Sequence, residues 1–365
     1  MFDPHVWLDR RVLITGHTGF KGAWLSTWLG CLGAKVSGFA LPPKTDPNLY
    51  SILTPSLENE AIGDLREPDR IREFVSDVKP EIVFHLAAQS IVRDAYRAPV
   101  DTYATNVMGT VNLLEALRSA ESVKAILVAT TDKVYENDER GRAFCEDDPL
   151  GGHDPYSASK ACTEILTASY RRSFFDNISG ARLSTARSGN VVGGGDWSSD
   201  RIVCDVVSAV DNGVPVELRN PNAVRPWLHV LEPLCGYMAF ADRLTRPDPA
   251  PTALNFAPRE GDVKTVAEVV DAFGQVFDGK PGWVHDNAQH PAEATLLTLS
   301  PRAAEQTLGW TQQLDFTETI RWTASWYADY RSSKNMRDVT IQQITDYQKR
   351  FWDRDAQQRA LEFGR

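Results

Sequence analysis

Arg11-Val12-Leu13-Ile14-Thr15-Gly16-His17-Thr18-Gly19-Phe20-Lys21-Gly22 is the stretch on which the reading turns. Its first five residues make a short apolar run, the pattern of a buried strand. Three glycines follow at GxxGxxG spacing, and Trp24, Leu25, Trp28, Leu29 and Leu32 then recur at helical period. Strand, glycine turn and helix in that order give such a motif its meaning. The glycines permit a tight turn and let backbone N–H groups approach a pyrophosphate, while the helix N-terminus adds its dipole.

Outward from this unit the alternation continues. Gly33 closes the helix, and strands are predicted near 35–40, 61–63, 81–86 and 125–130. A helix over about 99–119 carries Val107, Val111, Leu114 and Leu117 on one face. Repeated βαβ units imply an α/β fold, a Rossmann-type doubly wound parallel sheet. The later chain is mixed: a helix near 156–172, a strand near 181–186, a loop at 188–199 with Gly193-Gly194-Gly195, and helices near 265–277 and 316–330. We therefore expect residues 1–187 to form the dinucleotide-binding domain. Residues 188–365 mainly form a smaller mixed α/β substrate-binding domain, with strands at 224–230 and 253–256 returning to the first sheet.

Composition bounds the rest. The 365 residues are 42% hydrophobic and 24% charged, which excludes a disordered chain. A net charge of −10 gives no bulk attraction to a nucleic-acid backbone. Five cysteines without CxxC spacing indicate reduced thiols rather than a disulfide or zinc framework. The first residues lack the basic and apolar regions of a signal peptide, and no run of about 18 apolar residues occurs. A soluble, cytoplasmic protein is expected. The histidines make no metal set: His285 and His290 are five apart and His153 is isolated. His17 reads as a residue that sets the glycine-loop backbone.

Tyr156 and Lys160 stand four apart on a predicted helix, hence on one face. A phenol of pKa near 10 becomes a usable base where a neighbouring ammonium and a cationic nicotinamide stabilise the phenolate. Behind a glycine loop and five strands, this pair reads as catalytic. Strand two ends Gly38-Phe39-Ala40-Leu41-Pro42, without the acid that usually holds the ribose, so NAD and NADP are not distinguished there. Asp64 has two readings, an acceptor for the adenine amine or a helix N-cap.

With these residues in view the chain resembles the extended short-chain dehydrogenase/reductase family, and within it the CDP-glucose branch of the nucleotide-sugar 4,6-dehydratases. The matching segments are GHTGFKG at 16–22, HLAAQSIVR at 85–93, TTDKVYEN at 130–137, DPYSASKAC at 154–162, GNVVGGGDW at 189–197 and RPWLHV at 225–230. Lysine at 133, where the wider group has a second acid, is the most specific feature. The resemblance implies NAD as cofactor and an internal redox reaction on CDP-glucose. Tyr156 takes the 4-hydroxyl proton as hydride leaves C4, water is eliminated across C5 and C6, and hydride returns to C6. By that analogy Thr131 hydrogen-bonds the 4-oxygen, Asp132 is the acid and Lys133 the C5 base. Alternatively Lys133 is an electrostatic clamp and Glu136 the base, since a base must be neutral and an ionised Asp132 would raise the lysine.

The resemblance also implies cofactor contacts at Gly16, Thr18, Gly19, Phe20, Lys21, Gly22, Asp64, Leu65, Leu86, Ala87, Ala88, Gln89, Thr130, Tyr156 and Lys160. Substrate contacts are implied at Arg93, Asn190, Arg201 and Arg225, with Arg93 and Gln89 near the sugar, Arg201 reaching the nucleotide and Lys21 facing either pyrophosphate. A homodimer through helices near 100–119 and 156–172 is the family expectation. Three rivals remain: a dehydratase for dTDP-glucose or GDP-mannose, a sugar-nucleotide 4-epimerase, and a non-catalytic NAD-sensing regulator. The Asp132-Lys133 pair speaks for a dehydratase, because an epimerase moves no C5 or C6 proton.

Overall fold

A computed structural model describes residues 4–137, 141–259, 261–277, 282–286, 288 and 297–363. The glycine-loop unit opens as expected, with β1 (Arg11–Thr15), α1 (Phe20–Cys31) and β2 (Lys35–Ala40). The chain continues through α2 (Leu49–Leu53), β3 (Asn59–Ile62), α3 (Pro68–Val78), β4 (Ile82–His85), α4 (Val92–Arg97), α5 (Pro99–Tyr103), α6 (Gly109–Arg118), β5 (Ala125–Ala129), α7 (Pro155–Tyr170) and β6 (Arg182–Ser188). The second half holds β7 (Asn190–Val192), α8 (Ile202–Asn212), β8 (Val216–Leu218), β9 (Val224–Arg225), β10 (Trp227–His229), α9 (Leu231–Thr245), β11 (Ala253–Phe256), β12 (Lys264–Thr265), α10 (Val266–Val276), β13 (Trp283–His285), α11 (Arg302–Leu308), α12 (Phe316–Arg331) and α13 (Met336–Phe363).

Seven strands form one sheet in the order β11-β6-β5-β4-β1-β2-β3, every pair parallel. This is the doubly wound α/β architecture. The order reverses next to β1, so the crevice beyond the carboxyl ends of β1 and β4 is where such sheets take ligands. The central strands are apolar on both faces, as a sheet covered by helices on each side requires. The predicted 99–119 helix is interrupted: residues Ala104–Met108 make a π-turn between α5 and α6, and Asn106 is buried there.

Residues 224–230 do not enter the large sheet as expected. β10 pairs in parallel with β7 and β9 pairs antiparallel with β12, so both lie in the second lobe. The return to the sheet runs through α9 and β11. The loop 189–199 is held by α12. A Cβ on Gly194 would lie 2.0 Å from Trp326 Cγ, and the Tyr327 hydroxyl donates to the Asp196 carbonyl at 2.6 Å. No helix among the described residues is long and apolar enough to cross a membrane.

Candidate active site

The glycine loop is shaped for close backbone approach. Gly16 has φ +78°, and a Cβ there would lie 2.7 Å from Ala87 N. A Cβ on Gly22 would lie 2.1 Å from the Gly16 carbonyl oxygen, so only glycine lets α1 begin against the turn. No side chain caps α1, and its N-terminal end therefore faces the crevice with backbone groups. That donor set suits a pyrophosphate. Thr18 donates to the Leu41 carbonyl at 2.8 Å and ties the loop to the end of β2. His17 is buried against Gly38 and bonds Glu60 at 2.9 Å.

Asp64 is not the N-cap of a helix; α3 starts after Glu67. Its carboxylate accepts from the Arg66 amide at 2.9 Å and from the Arg66 guanidinium at 2.7 Å, which holds it below the usual carboxylate range. Leu65 is buried beside it, its carbonyl accepting from Asn112. Leu86, Ala87 and Ala88 follow β4 along the crevice edge, the Leu86 amide donating to Thr15 at 3.0 Å. The Gln89 side chain is bonded within its own loop and to α5: it accepts from the Ile91 amide at 2.6 Å and donates to the Ile91 carbonyl and to Thr102.

At the end of β5 the chain enters a short turn, Asp132–Val134, whose cap is Thr131. The Thr131 hydroxyl donates to Asp132 Oδ1 at 2.8 Å, and Lys133 Nζ stands 3.5 Å from the same oxygen. Asp132 is 1% exposed, and its Oδ2 has no hydrogen-bond partner. A buried carboxylate oxygen left open in this way is what a proton donor to a ligand requires. Glu136 lies apart: it is exposed and bonds His153 at 2.7 Å.

Tyr156 begins α7, whose start is fixed by Asp154 accepting from the Tyr156 and Ser157 amides. Burial pushes the phenol up to about 12; Arg201 does most to lower it, and a hydrogen bond with Thr131 helps. Arg201, expected among the substrate residues, thus adds positive charge that acts on the phenol. Lys160 Nζ donates to the Ala129 carbonyl at 3.1 Å, and burial, with repulsion from Lys21, brings it down to about 8. Lys21 reaches Ser188 Oγ at 3.0 Å, and burial plus Arg201 bring it down to about 7. Lys21 and Lys160 thus repel one another, and Arg201 acts on both Lys21 and the phenol.

Of the expected substrate residues, Arg201 caps α8 and reaches this centre. Gly189 packs between Asp132 and Pro226, which brings Asn190 on β7 and Arg225 on β9 to the same edge. Arg225 is 6% exposed and donates to the Val224 carbonyl. Arg93 pairs with Asp200 at 3.3 Å across the crevice.

A family model described as GDP-mannose 4,6 dehydratase matches residues 13–323. The chain belongs to this dehydratase family. The CDP-glucose 4,6-dehydratase of Salmonella typhimurium is 42% identical over 95% of this chain and 98% of its own. The dTDP-glucose 4,6-dehydratase of Mycobacterium tuberculosis is 27% identical over 90% of this chain and 97% of its own. Among solved structures, MoeE5 in complex with UDP-glucose and NAD superposes with a TM-score of 0.74 at 26% identity, covering 88% of this chain and 99% of that one.

Seen as a GDP-mannose 4,6-dehydratase family member, the chain has further site residues that the sequence did not single out. Glu164 and Arg187 form a buried ion pair at 2.8 Å behind the Thr131-Asp132-Lys133 turn. The signals were present: Glu164 follows Lys160 by one helical turn, and Arg187 is a charge at the end of a predicted strand. Asn106 accepts from the Gln89 amide and donates to Ser159 Oγ at 2.9 Å, locking the β4 edge to α7. His85 sits between the Thr15 and Thr110 hydroxyls, and burial pushes it down to about 3. The Thr110 hydroxyl is committed to the Asn106 carbonyl, so His85 Nε2 is assigned the proton.

Proposed function

We propose that this chain is a CDP-glucose 4,6-dehydratase, turning CDP-D-glucose into CDP-4-dehydro-6-deoxy-D-glucose and water. The observation that carries the reading is the Asp132–Lys133 pair beside Thr131 and Tyr156. Oxidation at C4 needs one base, whereas elimination across C5 and C6 needs two further proton-handling groups. The 42% identity to the Salmonella enzyme, across nearly all of both chains, supports the same chemistry.

NAD, when bound, would supply the hydride acceptor for C4 and the hydride donor for C6, with no net consumption of cofactor. Gly16, Gly19 and Gly22 with the start of α1 hold its pyrophosphate, and Thr18, Phe20, Leu65, Leu86, Ala87, Ala88 and Thr130 line the crevice. Asp64, oriented by Arg66, keeps acceptor capacity for the adenine amine. Tyr156 accepts the 4-hydroxyl proton, with Arg201 and Thr131 favouring the phenolate. Lys160 anchors the base of α7 to β5 through Ala129 and adds positive charge below the site. The ketone formed at C4 acidifies C5. Neutral Lys133 removes that proton and later restores it, while protonated Asp132 delivers a proton from Oδ2 to the departing 6-hydroxyl, forming water, and is reprotonated as Tyr156 gives up the proton it took from O4. Glu136, exposed and bonded to His153, is not assigned the base role. Asn190 and Arg225 bind the nucleotide diphosphate, the Arg225 guanidinium suiting bidentate phosphate contacts, and Arg93 lies toward the sugar.

We assign residues 1–187, with the return through α9 and β11, to the dinucleotide lobe and most of the remainder to the sugar-nucleotide lobe. The working form is a homodimer. Val100, Tyr103 and Met108 from the α5–α6 stretch and Ile165 from α7 are exposed, and α5 packs on α7, so one apolar face is available for a second copy. The free cysteines suit a reducing cytoplasm.

The test is incubation with CDP-, dTDP-, UDP- and GDP-hexoses, followed by mass analysis for loss of water. CDP-glucose should be dehydrated with the highest kcat/KM and without build-up of free NADH. Equal or better kcat/KM with dTDP-glucose or GDP-mannose overturns the substrate, and stoichiometric NADH overturns the internal redox cycle.

A further inference from the structure

The turn that carries Asp132 and Lys133 is tied at both ends to one buried ion pair. At its start, the Thr130 hydroxyl donates to Glu164 Oε1. Just past its end, the Tyr135 hydroxyl accepts from Arg187 Nη1 at 2.7 Å and donates to Asn255 Oδ1 at 2.8 Å. Between these posts, Arg187 meets Glu164 through two parallel bonds, Nε to Oε1 at 2.9 Å and Nη2 to Oε2 at 2.8 Å. Glu164 also accepts from Thr185 at 2.7 Å, and Arg187 Nη1 donates to the Glu146 carbonyl at 2.9 Å. Glu164, Arg187, Tyr135 and Asn255 are all nearly or fully buried.

Placing two charges here is unfavourable unless every lone pair and proton is used, and a planar guanidinium is the group that uses them. A hydrophobic pair of the same volume would pack as well without fixing the turn. Of the posts, only Tyr135 lies beyond Lys133. The Tyr156 amide is fixed by Asp154 at the start of α7, and its phenol bonds Thr131, which precedes Lys133 in the turn.

We infer that Glu164, Arg187 and Tyr135 are positioning residues for the elimination half of the reaction, acting through the Asp132-Lys133 turn. The inference rests on the dehydratase reading. Glu164→Gln leaves Arg187 buried without its counter-charge and risks the fold, so the decisive variant is Tyr135→Phe. It keeps the ring stacked on Phe144 and under the Arg187 guanidinium but removes the hydroxyl.

The experiment is single turnover of holoenzyme with CDP-glucose, following bound NADH by absorbance, together with melting temperature and KM. For Tyr135→Phe we expect C4 oxidation within about twofold of wild type and elimination slowed about five- to tenfold, the scale of one lost hydrogen bond. Bound NADH then accumulates, with KM unchanged and the fold intact. Arg187→Lys, which keeps the charge but cannot bridge Glu164 and Tyr135 together, should show the same partition. Equal slowing of both half-reactions, or an unchanged partition, overturns the inference while leaving the dehydratase reading intact. A wild-type enzyme that oxidises C4 but never loses water overturns both.

Discussion

At the scale of the residue, Tyr156 carries a sharp expectation. Tyr156→Phe keeps the ring and its packing but removes the proton acceptor, so kcat should fall by about 10² to 10⁴. Cofactor binding, read by fluorescence titration, should stay near wild type. Asp132→Asn and Lys133→Met act after the ketone forms, so they should slow water loss more than C4 oxidation. Rapid-quench analysis should find the bound 4-keto intermediate; if both variants lose the first hydride transfer instead, these residues position substrate. Tyr156 and Lys160 stood out in the sequence because their spacing puts them on one helix face, whereas Asp132 and Lys133 stood at a predicted strand end and took their roles from the family resemblance. The charge that Arg201 brings to the phenol was not legible, because a pairing across such a sequence distance leaves no local pattern. Nor was the bonding of the Gln89 side chain within its own loop.

At the scale of the element, the glycine loop, the alternating strands and the helices were readable from period and turn chemistry, and their ends moved by only a few residues. The π-turn at Ala104–Met108 was not, because Asn106 earns that geometry from tertiary bonds to Gln89 and Ser159. Strands β9 and β10 were visible as strands, but their partners were not, since three-residue runs carry no address. One element contact has a pH signature. Glu232 in α9 is fully buried, accepts from the Gln313 and Leu314 amides and from the Tyr347 hydroxyl of α13, and burial pushes it up to about 7. The folded chain therefore binds this proton more tightly than the unfolded chain. Stability from this group is full below about pH 4.5 and is lost as pH rises toward 7. Urea unfolding should show a decline over that window for wild type, on the order of 3 kcal/mol at most from this group. Glu232→Gln should flatten it. An identical pH dependence in both proteins would assign the decline elsewhere.

At the scale of the whole molecule, the proposed dimer and the crossing of the chain between lobes decide behaviour that no single residue does. Ile165→Glu together with Val100→Glu places charges on the face offered to a second copy and should shift sedimentation from dimer to monomer, with the melting temperature of the monomer lowered. A dimer that persists would move the interface off α5–α7. The family was legible from motifs spread over residues 16–230 and the sheet from strands predicted as far as 253–256, whereas the tie of the loop after β7 to α12 was not, being built from Gly194, Trp326 and Tyr327 that lie far apart in sequence. The late arrival of β11 has one more consequence, for a chain emerging from the ribosome. Residues 189–252 must be made before Ala253–Phe256 can pair with β6. Until then the sheet ends in an open strand with unpaired backbone groups, the kind of edge that recruits other chains. A nascent chain stalled within that interval should need chaperone protection, and release from it should coincide with translation through Phe256.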